Sequence, residues 1–155
     1  MTARMDIGAL QPAAYKAMLR LDSAVQTAMA DTPFPSPFLE LLRLRASQIN
    51  GCAYCVDMHS ADAKAAGESD PRLFAVAVWQ EAPFFTEQER AALALTEAMT
   101  RLSDGGDRVP DEVWNLAARM FDGSTLAALV MAITTINAWN RICVSTRMVP
   151  SSYKE

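Results

Sequence analysis

Apolar residues in this chain recur every three or four positions, in runs that end at proline, at glycine or at an Asn-Gly pair. No segment alternates apolar with polar residues over a strand's length between turns. A helix turns about 100° per residue, so only the first spacing gathers apolar side chains on one helical face, whereas a strand needs them at every second position. An all-α fold is therefore expected. A first helix is predicted from about Pro12 to Ala30, closed by the prolines of DTPFPSPF. A second runs from Pro37 to Ile49 and stops at Asn50-Gly51, a pair suited to left-handed backbone. The third should span Cys52 to Ala66 with Gly67 as its stop, and a short fourth Asp70 to Gln80. Thr86-Glu87-Gln88-Glu89 carries the capping-box pattern, which satisfies free amides at the start of a helix to about Leu102. After Gly105 and Gly106, Pro110 suits the first turn of a helix to Met120, and Ser124 opens a long apolar helix to about Met148. That makes six to seven helices, the lower count applying if one fuses with its neighbour.

The chain has 155 residues, enough for one domain with a real core and too few for two, so a single domain over residues 1–155 is expected. Lys and Arg number 14 against 18 Asp and Glu, and the positive residues are scattered, which gives nucleic-acid binding no support. The first twenty residues lack the apolar core of a signal peptide, and no later run reaches the ~18 continuous apolar residues of a membrane span. A cytoplasmic protein without a membrane partner is expected. In such a reducing compartment three cysteines, two of them three residues apart, read as a redox couple or a metal site more than as a disulfide framework.

Chemistry concentrates between Glu40 and His59, in ELLRLRASQINGCAYCVDMH, which holds the paired cysteines and the only histidine. Cys52, Cys55 and His59 fall at i, i+3 and i+7, one stripe of a helix, and the i,i+4 pair Cys55 and His59 is close enough for side-chain contact. An unperturbed thiol has a pKa of ~8.5, and a nearby imidazolium or a helix N-terminus lowers it, so Cys55 is the candidate nucleophile and Cys52 its neighbour at the positive end of the helix. Undistorted i,i+3 β-carbons stand about 5 to 6 Å apart, further than a disulfide needs, so a bond between the two requires the first turn to relax. Upstream, Glu40, Arg43, Ser47 and Asn50 recur at i, i+3, i+7 and i+10 and share one helix face. If the two helices pack antiparallel across the Asn-Gly turn, Glu40 reaches back toward His59 and orients the imidazole.

Glu40, then Cys52-Ala53-Tyr54-Cys55 twelve residues on, then His59, resembles the alkylhydroperoxidase D (AhpD) core of the carboxymuconolactone decarboxylase-like superfamily, with RASQINGCAYCVDMHSADA the strongest match. Weaker likeness continues through TEQERAALALTEAMTRL and INAWNR, covering about Phe34 to Ile142. The resemblance implies an AhpD-like helical subunit that assembles as a homo-oligomer, a dimer, trimer or hexamer. It also implies a thiol-dependent peroxidase or disulfide-exchange activity with no cofactor, acting on a hydroperoxide or a partner's disulfide and drawing on an external thiol or dithiol reductant. By that likeness Cys55 attacks the peroxide oxygen and becomes a sulfenic acid, Cys52 resolves it, His59 takes the thiol proton, and Glu40 joins the relay. The chain departs from the best-known family member in carrying Tyr54 where that enzyme has a second histidine, and a phenol of pKa near 10 is a poor base at neutral pH. Tyr54, Arg43, Ser47 and Asn50 are kept as relay or pocket candidates.

Two rivals compete. Cys52, Cys55, His59 and Cys143 have the atoms of a Cys₃His zinc site, but structural zinc pairs sit on turns or knuckles, and Cys143 lies on a distant apolar helix, so no metal is expected. Cys143 itself reads as buried packing. A non-catalytic oligomeric scaffold would carry neither metal nor reactive thiols. Asn137, Asn140 and Arg141 interrupt the last helix at helical spacing and suit either a pocket, an oligomer contact or burial with local hydrogen bonds.

Overall fold

The computed structural model describes residues 2–34 and 36–153, and among these it contains helices and no strand. Eight α-helices follow in order: α1 (Ile7–Leu10), α2 (Pro12–Ala30), α3 (Ser36–Ile49), α4 (Ala53–Ala65), α5 (Asp70–Ala75), α6 (Glu87–Thr100), α7 (Asp111–Met120) and α8 (Gly123–Thr146). A single 3₁₀ turn, Val76–Val78, follows α5. The all-α expectation holds, and the differences are local. The one-turn α1 adds an element, held by the Asp6 side chain accepting from the amide of Ala9. The helix expected over Asp70–Gln80 gives way after Ala75 to that 3₁₀ turn. Of the DTPFPSPF prolines, Pro35 lies outside the described residues.

Helix ends follow side-chain chemistry where that chemistry is local. Thr86 accepts from the amide of Glu89 while the Glu89 carboxylate accepts from the amide of Thr86, both halves of the predicted capping box. At the end of α3, Gly51 takes φ 66°, the amide of Gly51 donates to the carbonyl of Gln48, and that of Cys52 to the carbonyl of Ser47. This is the six-to-one closure of a helix, and it needs the left-handed residue a glycine supplies without strain. The same closure ends α8, where it could not be foreseen: Arg147 adopts φ 54° in glycine's place, and the amide of Met148 donates to the carbonyl of Cys143. The helix stops at Thr146, before the expected Met148.

Helix α3 is the hub, packing on α4, α6 and α8. Its Phe38, Leu41, Leu42 and Leu44 are buried with Leu93 and Leu95 of α6 and Leu129 and Ile133 of α8. Burying a Leu or Ile is worth ~1.5–3 kcal/mol each, so this cluster carries the main driving force of the fold. Buried carboxylates are paired: Glu97 binds Arg45 at 2.6 Å and Arg101 at 2.9 Å and accepts from the Trp79 indole at 2.9 Å. Burial alone would raise the Glu97 carboxyl, but the Trp79 and Arg45 contacts hold it below the ordinary carboxylate value. Helix α8 is long and apolar enough to cross a membrane by composition, yet half of it is buried inside this fold.

Candidate active site

Helices α3 and α4 pack as a hairpin across Asn50-Gly51, which carries the middle of α4 back past the start of α3. There Glu40 Oε2 stands 2.7 Å from His59 Nδ1, and Glu40 Oε1 accepts from Arg43 Nη1 at 2.8 Å. Arg43 also reaches Asp22 of α2 at 3.3 Å, so a chain of charges runs Asp22, Arg43, Glu40, His59. Arg43 and His59 are only 4% and 5% exposed, which matters because ionic hydrogen bonds shielded from water keep their geometry. Burial raises the Glu40 carboxyl, but the His59 hydrogen bond and the charge of Arg43 outweigh it and hold the group below its usual value. An ionised carboxylate can only accept, so Nδ1 of His59 carries the hydrogen and Nε2 is the ring atom that exchanges a proton with the site.

Cys52 and Cys55 are joined by a disulfide, with their Cα atoms 5.3 Å apart. The sequence reading placed Cys52 on the helix, in one stripe with Cys55 and His59. Instead Cys52 is the N-cap of α4, with extended backbone at φ −88° and ψ 93°, and its sulfur accepts from the amide of Cys55 at 3.3 Å. Standing outside the helical path removes the spacing mismatch that an i,i+3 pair would suffer, and it aims a helix-end amide at the Cys52 sulfur. Such a donor stabilises a thiolate there.

A cavity of about 170 Å³ meets this pair. Its walls include Cys55, His59, Arg43, Tyr54, Cys143 and Met148, with Tyr15 and Trp139 packed edge to face at a ring distance of 5.4 Å. Cys55 lines it and Cys52 does not. Both cysteines are 1% exposed, so the cavity is how Cys55 is reached. His59 and Cys55 share the cavity, although in this disulfide form no hydrogen bond joins them among the described residues. Burial pushes the Tyr54 phenol above its ordinary 10, so it stands in the wall as a neutral hydroxyl.

The other half of the polar stripe goes elsewhere. Asn50 Nδ2 donates to Asn137 Oδ1 at 2.9 Å and to Asn140 Oδ1 at 2.8 Å, and Asn140 Nδ2 donates to Ser47 Oγ at 3.0 Å. Ser47 donates in turn to the carbonyl of Arg43 at 2.7 Å. Neither Ser47 nor Asn50 lines the cysteine cavity. They tie the turn that carries Cys52 to α8.

Cys143 was expected far from the pair, yet the sulfurs of Cys52, Cys55 and Cys143 all lie within 4.8 Å of one another. Burial pushes the Cys143 thiol up to about 11, leaving it neutral, and it donates to Met148 Sδ at 3.8 Å. Of the four residues weighed for zinc, the three sulfurs form this group and His59 is not in it. Glu40, His59 and the exposed Asp62 make a second group whose ligand atoms lie within 4.8 Å. Asp22, Met148 and Trp139 were not anticipated at the site, and Cys143 was weighed beside the pair only as a zinc ligand and set aside. They come from α2 and the end of α8, and no local spacing announces such a meeting.

Comparison with known proteins places the chain in a family. The profile of the carboxymuconolactone decarboxylase family matches residues 12–98, which contain Glu40, both paired cysteines and His59. YdfG, an uncharacterized protein of Bacillus subtilis, is 41% identical over 106 residues, 68% of this chain and 71% of its own. A protein of unknown function from Agrobacterium tumefaciens, proposed to be an AhpD antioxidant defence protein, superposes with a TM-score of 0.89 at 35% identity, over 98% of this chain and all of that one. The AhpD core of an uncharacterized peroxidase-related protein from Ralstonia eutropha shares the fold at a TM-score of 0.79 and 19% identity, over 94% of this chain and 74% of its own. The chain belongs to the carboxymuconolactone decarboxylase family, within its AhpD-like superfamily.

Proposed function

We propose that the protein is a thiol-dependent peroxidase that reduces small organic hydroperoxides with the Cys52–Cys55 pair. The observation that carries this reading is that Cys55, and not Cys52, opens onto the cavity that also holds His59. With the pair reduced, His59 Nε2 takes the Cys55 proton and the thiolate attacks the terminal peroxide oxygen. The O–O bond breaks, the alcohol leaves with a proton returned by His59, and Cys55 is left as a sulfenic acid. Cys52, its thiolate favoured by the Cys55 amide, then attacks the Cys55 sulfur and expels water, forming the disulfide. Two electrons from an external dithiol restore the pair.

Size favours a hydroperoxide over a partner's disulfide. Water occupies about 30 Å³, so a 170 Å³ cavity admits a small organic molecule, while two sulfurs at 1% exposure are out of reach of a folded partner. The reductant is a small dithiol by the same reasoning, and a reducing cytoplasm would supply it. Exposed Phe74, Val78 and Phe84 suit a homo-oligomeric contact.

Reduced protein given one equivalent of a small alkyl hydroperoxide should lose two hydrogens by intact mass, with Cys52 and Cys55 protected from alkylation. Cys55→Ser should consume no peroxide, and Cys52→Ser should react once and stop at the sulfenic acid. Undiminished turnover in Cys55→Ser would remove the proposal.

A further inference from the structure

We infer that the reduced protein binds one soft, thiophilic metal ion of the Cu(I) class through Cys52, Cys55 and Cys143, with Met148 as a weaker fourth ligand. The three sulfurs arrive from three places, the α3–α4 turn, the first turn of α4 and the last turn of α8, and all lie within 4.8 Å of one another. Three metal–sulfur bonds of about 2.3 Å in a plane set sulfurs roughly 4 Å apart, so the Cys52 and Cys55 sulfurs must separate from their bonded distance on reduction, while Cys143 already stands within 4.8 Å of both. The left-handed Arg147 folds the chain back so that Met148 Sδ comes 3.8 Å from Cys143 Sγ. A fourth soft donor thus stands beside the third.

The donor set decides the metal. Thiolate sulfur rules out hard ions such as Mg²⁺ or Ca²⁺, which need oxygen ligands, and three thiolates with a thioether suit Cu(I) better than Zn²⁺, which completes a tetrahedron with thiolate, imidazole or carboxylate. The three cysteines are 1%, 1% and 4% exposed, so water is largely kept from an ion held there. His59 does not join the three sulfurs in a group whose ligand atoms lie within 4.8 Å of one another. In the disulfide form two of the three donors are bonded to each other, so binding requires prior two-electron reduction by a dithiol, and each coordinating thiol then gives up its proton to solvent. Metal occupancy and peroxide reduction compete for the same sulfurs.

The inference does not depend on peroxidase activity, and its test omits peroxide. Full-length reduced protein is titrated anaerobically with Cu(I) acetonitrile complex against bicinchoninate, a coloured Cu(I) chelator, and the product is read by X-ray absorption. Expected are one Cu(I) per chain, three short copper–sulfur contacts, and no binding by the disulfide form. Cys143→Ala should leave two short sulfur contacts and weaken binding by roughly 100-fold, at least what loss of a supporting contact costs a metal site. Cys143→Ser, closer in size, checks that the loss is not a folding defect, and Met148→Leu should weaken binding only a few-fold. Equal affinity in wild type and both Cys143 variants, or two sulfur contacts in the wild type, would overturn the inference. Absence of copper binding in protein that still consumes peroxide removes this inference alone. Copper binding in protein inert to peroxide removes only the proposed function.

Discussion

One face of α3 carries two kinds of polar residue, and they have opposite fates. Its first half, Glu40 and Arg43, is ionised and joins Asp22 and His59 in a charged chain that ends at the cysteine cavity. Its second half, Ser47 and Asn50, is neutral and joins Asn137 and Asn140 in an amide and hydroxyl network that fastens α8 to the cysteine turn. Both halves are buried or nearly so, and among the described residues no buried side-chain polar atom lacks a partner. The difference lies in what each can do once satisfied. A charged chain ending in an imidazole can accept and return a proton, while a network of neutral amides and a hydroxyl can only hold its members in place. Shared placement on a helix face therefore says little about shared purpose.

The sharpest way to break that division is to remove one member from each half and measure both rate and stability. His59→Ala should slow peroxide-driven oxidation of Cys55 by about 100-fold or more, the usual worth of a positioned general base, in stopped-flow experiments under limiting peroxide. Asn140→Ala takes one partner each from Ser47 and Asn50, which keep the Arg43 carbonyl and Asn137, and should cost about 1–3 kcal/mol in denaturant unfolding, the range for removing a partner of buried polar groups. Its rate per folded molecule should stay within a few-fold of wild type. A folded Asn140→Ala protein as slow as His59→Ala would merge the two halves again.

Acid should separate them next. The folded Glu40 carboxyl lies below its ordinary value of 4.5, so it contributes stability that is complete above that pH and is lost as pH falls through the lower folded value. Glu89 and Glu97 are lowered in the same direction, so melting temperature should be nearly level from pH 7 to about 5 and drop below 4.5. Glu40→Gln should flatten part of that drop. Asn140→Ala, lacking any titrating group, should run parallel to wild type at a lower level. An Asn140→Ala curve with an altered slope would mean that the neutral network is electrically coupled to the charged one.

How much of this could be read from the chain follows the distance between partners. The Thr86–Glu89 capping box, the Asn50-Gly51 stop and the common face of Glu40, Arg43, Ser47 and Asn50 depend on neighbours within a few residues, and each is present. The Glu40–His59 contact spans nineteen positions, and the sequence made it conditional on antiparallel packing of the two helices across the tight turn. Asn50 with Asn140 spans ninety positions, and the meeting of Cys143 with the cysteine pair is of the same kind, a product of how α8 crosses α3. Cys52 was misplaced by one position, on the helix and not at its cap, because a cysteine lacks the oxygen that marks the usual capping residues. The end of α8 was misplaced because an arginine occupies the left-handed position where glycine is the ordinary signal.

The smallest expected effect marks where the charged half ends. Asp22 touches Arg43 at 3.3 Å, but its side chain is 26% exposed, against 5% for Arg43, so water screens the pair and competes for the carboxylate. Arg43 keeps its shorter 2.8 Å bond to Glu40 when Asp22 is neutralised. Asp22→Asn should therefore cost under about 1 kcal/mol in unfolding experiments and change the oxidation rate no more than a few-fold, the range of partly exposed ion pairs. A rate loss matching that of Glu40→Gln would extend the proton-handling chain to α2 and make Asp22 its outer member. A loss confined to stability leaves Glu40 as the last carboxylate whose charge the imidazole senses.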